Sequence, residues 1–228
     1  MGAPNLMTSG IYTVSEAAYL VGATQQQIRG WVSGYPRRKL PPLIQNELGA
    51  LDDRIAFSFI NLMELRFVAF FVNAGVHVWH IRAIMDDVRD LLKHPHPFAT
   101  QHVFRTDGRK IVAEMGFKHS GKQIYDLRSK NYEMRSVVLD TLKDDVVYDA
   151  EGMARAWYPR RHFAPNVIIH PRFAFGHPIL RDSRVPTKAL ASAVSAEGSV
   201  RSVAKWFEVP EPQVREAVKF ETALRKAA

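Results

Sequence analysis

Thr24, Gln25, Gln26, Gln27 and Arg29 bring together side chains of the kind that read DNA bases. Glutamine pairs bidentately with adenine and arginine with guanine, while a threonine at a helix N-terminus suits a phosphate oxygen. That chemistry requires the residues to sit near the start of a helix lying in the major groove. Arg37, Arg38 and Lys39 follow closely and can clamp phosphates, which makes affinity fall with salt. Three adjacent glutamines equally make a solvated face, so the spacing alone leaves both readings open. Near the other end Arg201, Gln213 and Arg215 are further DNA candidates, with an ordinary solvated helix surface as the alternative.

Other chemistries have less to stand on. Nine histidines include His77 and His80, one helical turn apart, and His94, His96 and His102, close in sequence. No matched carboxylate or cysteine cluster accompanies them, so no metal site is expected. Asp52-Asp53, Asp86-Asp87 and Asp144-Asp145 raise the idea of a magnesium nuclease, which needs several carboxylates converging on one pocket. Adjacent aspartates point in different directions on a helix or strand. The absence of cysteine removes disulfides, thiolate nucleophiles and iron–sulfur clusters. With no phosphate-binding glycine loop, nucleophile elbow or triad signature, neither an enzyme nor a cofactor is expected.

The elements that must position the DNA candidates are legible. Thr13 can cap a helix with Glu16 completing a capping box, Gly22-Ala23 ends it, and Thr24 can cap the next, whose apolar face is Ile28, Trp31 and Val32. A basic, proline-rich connection from Tyr35 to Pro42 leads to a long helix that is apolar nearly all round and ends near Gly75, and so should be buried. Val78, Ile81, Ile84, Met85, Val88, Leu91 and Leu92 mark an amphipathic helix stopped at His94-Pro95-His96-Pro97, and its apolar stripe is the expected dimer surface. A β-hairpin is predicted around Asp107-Gly108, short strands at Gln123 to Leu127 and near Met153 to Pro159, and a helix around Tyr132 to Leu142. Three helices close the chain, over Lys188 to Ala196, Ser199 to Phe207 and Glu211 to Lys226. Trp206, Phe207, Val214, Val218 and Phe220 are expected to form their core.

At 228 residues there is room for two small domains, and a net charge of +8 favours a polyanionic partner. No basic leader with an apolar core is seen, and the longest apolar stretch, within Phe57 to Val78, is broken by Asn61, Glu64, Arg66 and Asn73. A cytoplasmic protein without a membrane span is expected.

From Tyr12 to Leu92, the capped pair of helices, the basic turn, the apolar helix running to Ala74-Gly75-Val76 and the helix after it resemble the MerR-like winged helix-turn-helix family. The chain departs from that family at His94 to Pro97, where a long coiled coil would otherwise continue, and in having no effector cysteines. From Val167 to Leu224, the elements His170-Pro171, Gly176-His177-Pro178-Ile179, Arg184-Val185-Pro186-Thr187 and the closing helices resemble a small domain of VapB-type antitoxins, long catalogued as a domain of unknown function.

The resemblances imply a mainly α fold with a minor β component. Residues 11–120 would be a MerR-like DNA-binding domain, 121–165 a connection, and 166–228 an antitoxin-type helical domain with helix-turn-helix character. They imply a dimeric antitoxin that represses its own operon through operator DNA and neutralises a PIN-like ribonuclease toxin by covering or disordering its magnesium-binding carboxylates. The alternative is a stand-alone MerR-like regulator with a small-molecule pocket lined by Phe98, Phe104, Phe117, Tyr125 and Trp157.

Overall fold

The structure is a computed structural model that describes residues 9–36, 39–51, 54–73, 75–101 and 144–227. The hairpin expected at Asp107-Gly108, the strand at Gln123 to Leu127 and the helix near Tyr132 to Leu142 lie outside them, as do Arg37 and Arg38.

The chain enters through a two-residue strand, β1 (Tyr12–Thr13), and turns at once into α1 (Val14–Val21). Thr13 is extended and its hydroxyl accepts the Glu16 N–H at 3.2 Å, while Glu16 Oε2 accepts the Thr13 N–H at 2.9 Å. Gly22 ends the helix in the left-handed region at φ 74°, and after Ala23 and Thr24 the chain enters α2 (Gln25–Ser33). The expected pair of helices, three residues apart, is present.

A hairpin of β2 (Ala50–Leu51) and β3 (Arg54–Phe57) follows, and β1 joins it to give the antiparallel order β1-β3-β2, with Tyr12 opposite Phe57. Then come α3 (Phe59–Asn73), whose Leu62, Leu65 and Val68 are fully buried, and α4 (Val78–Leu92). Ile81, Ile84, Met85 and Val88 on α4 are buried in the same core as α1 to α3. This corrects one expectation: the apolar stripe of α4 is consumed inside its own chain and is not available as a dimer surface. Lys93, at φ 49°, closes α4 and a 3-10 turn at Pro97–Ala99 leads away.

Strands β4 (Val146–Tyr148) and β5 (Ala154–Trp157) pair antiparallel, as do β6 (Val167–Ile168) and β7 (Ile179–Leu180). Three helices follow: α5 (Thr187–Glu197), α6 (Val200–Trp206), capped by Ser199, and α7 (Glu211–Ala227). The described chain is thus mainly helical with small sheets.

Leu190, Val203, Val214, Ala217 and Phe220 form a second core with Val167 and Leu180. Trp206 is not part of it. Its side chain is 61% exposed, so the expectation that it fills the C-terminal core is wrong; Val203 and Ala204 of α6 do so instead. Ala154, Trp157 and Ile169 belong to the first core, which therefore draws on β5 and the segment after β6. Arg160 Nη1 also reaches the Leu20 carbonyl at 3.4 Å, near the end of α1.

Candidate nucleic-acid interface

Thr24 holds the N-terminus of α2 by a reciprocal box. Its hydroxyl accepts the Gln27 N–H at 3.1 Å, and Gln27 Oε1 accepts the Thr24 N–H at 2.8 Å and its hydroxyl at 3.0 Å. Such a cap contributes about 1 kcal/mol to the helix. Gln25, Gln26 and Arg29 are exposed, whereas Ile28, Gly30, Trp31 and Val32 are buried. Gln27 is half-buried and its carbonyl oxygen is spent on the cap, whereas Gln25, Gln26 and Arg29 are exposed with no such tie. The same residue fitted both patterns in the sequence, and helix capping takes it.

The basic loop is pinned to α2. Tyr35 and Leu40 exchange backbone hydrogen bonds of 2.9 and 3.2 Å, and Lys39, exposed with φ 54°, donates its N–H to the Pro36 carbonyl at 3.0 Å. The Tyr35 hydroxyl lies 2.1 Å from where a Cβ at position 30 would stand, so Gly30 leaves room for the ring against α2. The Trp31 carbonyl accepts the N–H groups of Leu43 and Ile44 at 2.7 and 3.1 Å, which fixes the chain leaving the loop. Arg54, on the hairpin, is a further exposed cation.

From α4, Arg82 donates to the Pro42 carbonyl at 3.1 Å and Arg89 to the Leu43 carbonyl at 3.0 Å. Nothing in the sequence signals this use beyond two arginines two turns apart. Beneath them lies a buried polar group that sequence reasoning missed. Glu64 is fully buried on α3, with Oε2 3.0 Å from His96 Nδ1 and Oε1 3.9 Å from Arg89. His96 Nε2 faces Glu47 at 3.3 Å, and Glu47 also accepts the Ser58 hydroxyl. Asn61 completes the tie, accepting the Glu47 N–H at 3.0 Å and donating to the Gln45 carbonyl at 2.8 Å. Burial disfavours charge on His96, but the hydrogen bond and charge of Glu64, aided by Glu47, more than offset it and hold its pKa above the ordinary histidine value.

The C-terminal candidates lie on other helices. Arg201 is exposed on α6, Gln213 is half-buried on α7, and Arg215 is exposed but pairs with Glu211 at 2.9 Å, one turn before it. They do not join the α2 group in one set of side chains.

The remaining chemistry candidates are dispersed. Asp86 pairs with Arg89 at 3.2 Å and Asp145 with Arg66 at 3.7 Å, and Asp52-Asp53 lie outside the described residues. Burial raises the Asp145 carboxyl above its usual range despite Arg66, and burial pulls Arg66 down to about 10. His80 is buried, and among the described residues no group of three histidine, aspartate or glutamate side chains is placed to hold a metal. Phe98 and Trp157 are buried core, not pocket walls, while Phe104, Phe117 and Tyr125 lie outside the described residues. An open groove of about 690 Å³ lies instead between α1 and helices α5 and α7, lined by Tyr19, Lys188, Glu221 and others. Among the described residues no helix is long and apolar enough to cross a membrane.

No family model matches the chain. It is 24% identical over 225 residues, 91% of this chain and 92% of the other, to a Mycobacterium tuberculosis protein named "Putative antitoxin VapB45". The crystal structure of Rv2018 from Mycobacterium tuberculosis superposes with a TM-score of 0.74 at 19% identity, covering 91% of this chain and 96% of that one. The two share one fold along nearly their whole length.

Proposed function

We propose that this protein is the antitoxin of a type II toxin–antitoxin module. In this reading it represses its own operon as a dimer and neutralises a PIN-like ribonuclease toxin, without catalytic chemistry of its own. The observation that carries the proposal is the end-to-end similarity to a protein named as an antitoxin, with no large segment unmatched on either side. Residues 11–120 act as a MerR-like winged helix-turn-helix domain in which α2 is the recognition helix and the β2–β3 hairpin the wing. Residues 121–165 form the connection and 166–228 the antitoxin-type domain.

Gln25, Gln26 and Arg29 support the DNA-reading part, because they are exposed on the first turns of a helix whose cap keeps its N-terminus ordered. Both Thr24 donors are spent on Gln27, so Thr24 serves by holding the helix N-terminus, whose first-turn N–H groups take a phosphate; Lys39, with Arg37 and Arg38, supplies sequence-independent attraction. One short recognition helix covers few base pairs, so two half-sites and a dimer are needed for useful specificity.

Fluorescence anisotropy against the protein's own upstream DNA and a scrambled duplex tests the repressor role. Preference for the upstream DNA by about a hundredfold or more is expected. Equal binding to both duplexes would overturn it. Stoichiometric copurification with the neighbouring gene's product, and loss of that product's ribonuclease activity, tests the antitoxin role; a product that stays active in the presence of this protein would overturn that.

A further inference from the structure

Arg155, Arg172 and Arg184 are exposed, and among the described residues none of the three makes an ion pair. All three surround one buried side chain, His170. Arg155, His170 and Arg172 line one recess of about 470 Å³, and His170 Nδ1 accepts the Arg172 N–H at 3.2 Å. Arg184, itself at φ 60°, lies 4.2 Å over the ring of Phe173, which in turn stands 4.7 Å from the His170 ring. Two carboxylates also border the recess: Asp149, which accepts the Met153 N–H at 2.8 Å, and Glu47, which is held by Ser58 and His96. Burial and the three guanidinium groups lower the His170 pKa.

The same loop presents an aromatic in a costly conformation. Ala174 and Phe175 are both left-handed, at φ 47° and 54°, and the Phe175 ring is 56% exposed. A bulky residue in that region costs roughly 1–3 kcal/mol and persists only where its surroundings impose it. The surroundings here are explicit: Ile11 N–H donates to the Phe175 carbonyl at 3.1 Å and the Tyr12 hydroxyl to the Gly176 carbonyl at 2.9 Å. The fold therefore spends stability to hold an apolar ring in solvent, three residues along the chain from Arg172.

We infer that Arg155, Arg172, Arg184 and Phe175 form the surface that binds the partner toxin, through an acidic protein surface carrying an apolar recess for the Phe175 ring. The inference rests on the antitoxin reading above and assigns that reading's unplaced partner to one face. Arginine and aromatic side chains are the types that dominate protein interfaces, and like charges with no ion pair among the described residues select an oppositely charged partner. A nucleic acid would satisfy the charges, but it leaves the single, outward Phe175 ring on a loop without a groove or a base ladder to serve. The DNA-reading candidates on α2 also belong to a different element.

The test uses the full-length protein, the neighbouring toxin in a catalytically disabled form, and two variants. Phe175→Gly removes the ring and relieves the left-handed strain, so its melting temperature should not fall. The double variant Arg155→Glu, Arg172→Glu reverses charge on exposed positions. Each should weaken toxin binding by about tenfold or more, with the charge reversal slowing association most at low salt, while operator binding is unchanged. Toxin binding equal to the unaltered protein's in both variants would overturn the surface assignment alone. Loss of DNA binding with toxin binding intact would assign the face to nucleic acid and overturn it as well. Failure of the unaltered protein to bind the toxin would sink the antitoxin reading and this inference together.

Discussion

The Tyr12 hydroxyl donates to the Gly176 carbonyl at 2.9 Å, joining residues 164 positions apart, and a Cβ at position 176 would stand 2.4 Å from that same hydroxyl. Gly176 is also left-handed, at φ 88°, so both space and backbone conformation exclude a side chain. Gly176→Ala should cost roughly 2–3 kcal/mol in urea unfolding, and Tyr12→Phe, which leaves a buried carbonyl without its donor, about 1 kcal/mol. Because the alanine displaces the tyrosine it clashes with, the two costs should not add. Strict additivity would show that the clash is relieved elsewhere.

His96 makes stability depend on pH in a definite direction. Its folded pKa is raised above the unfolded value by Glu64 and Glu47, against burial. Its contribution is therefore complete below the ordinary histidine pKa and is lost as pH rises through the raised one. Unfolding followed from mildly acidic to mildly alkaline pH should show stability falling across that window, and His96→Gln should flatten the fall. Removing the partner of the buried Glu64 carboxylate should also cost about 3 kcal/mol at acidic pH. An unchanged pH profile in the variant would mean that the imidazole is neutral in the folded protein.

Local signals carried much of this architecture. Thr13 with Glu16, and Thr24 as the cap of the next helix, marked two helix starts to the residue, because capping depends on side chains within one turn. The apolar residues from Phe57 to Val72 likewise announced a buried helix. What failed to show was whatever depends on distant partners. Gln27 suited both a cap and a base contact, and only the folded geometry decides between them. The apolar stripe of α4 has the same periodicity whether it meets its own chain or a second copy. Glu64, within the apolar helix, reads as an interruption until His96 and Arg89 arrive beside it. Nothing near position 12 in the sequence points to position 176.

Trp206 supplies a direct check on the C-terminal helices. Its ring is 61% exposed, whereas Phe220 is fully buried. Trp206→Ser should change stability by no more than about 0.5 kcal/mol, and Phe220→Ala should cost roughly 3–5 kcal/mol. Emission from Trp206, isolated in a variant lacking the other three tryptophans, should lie near that of a solvated indole. A large destabilisation by serine would mean that the ring is covered in solution.

The interface proposed on α2 separates three roles that substitutions can tell apart. Arg29 is exposed beyond the cap, so Arg29→Ala should cost roughly 1–3 kcal/mol on operator DNA and little on random duplex, as expected for a base contact. Lys39 sits in the basic loop, and Lys39→Ala should weaken both duplexes alike and lower the salt slope by about one. Gln27 binds Thr24, so Gln27→Ala should remove about 1 kcal/mol of stability through the cap without changing which sequence is preferred. Binding to operator and scrambled duplexes at two salt concentrations, with a melting curve for each variant, reads all three. Equal losses on both duplexes for Arg29→Ala would remove it from base reading, and a changed sequence preference for Gln27→Ala would return that glutamine to it.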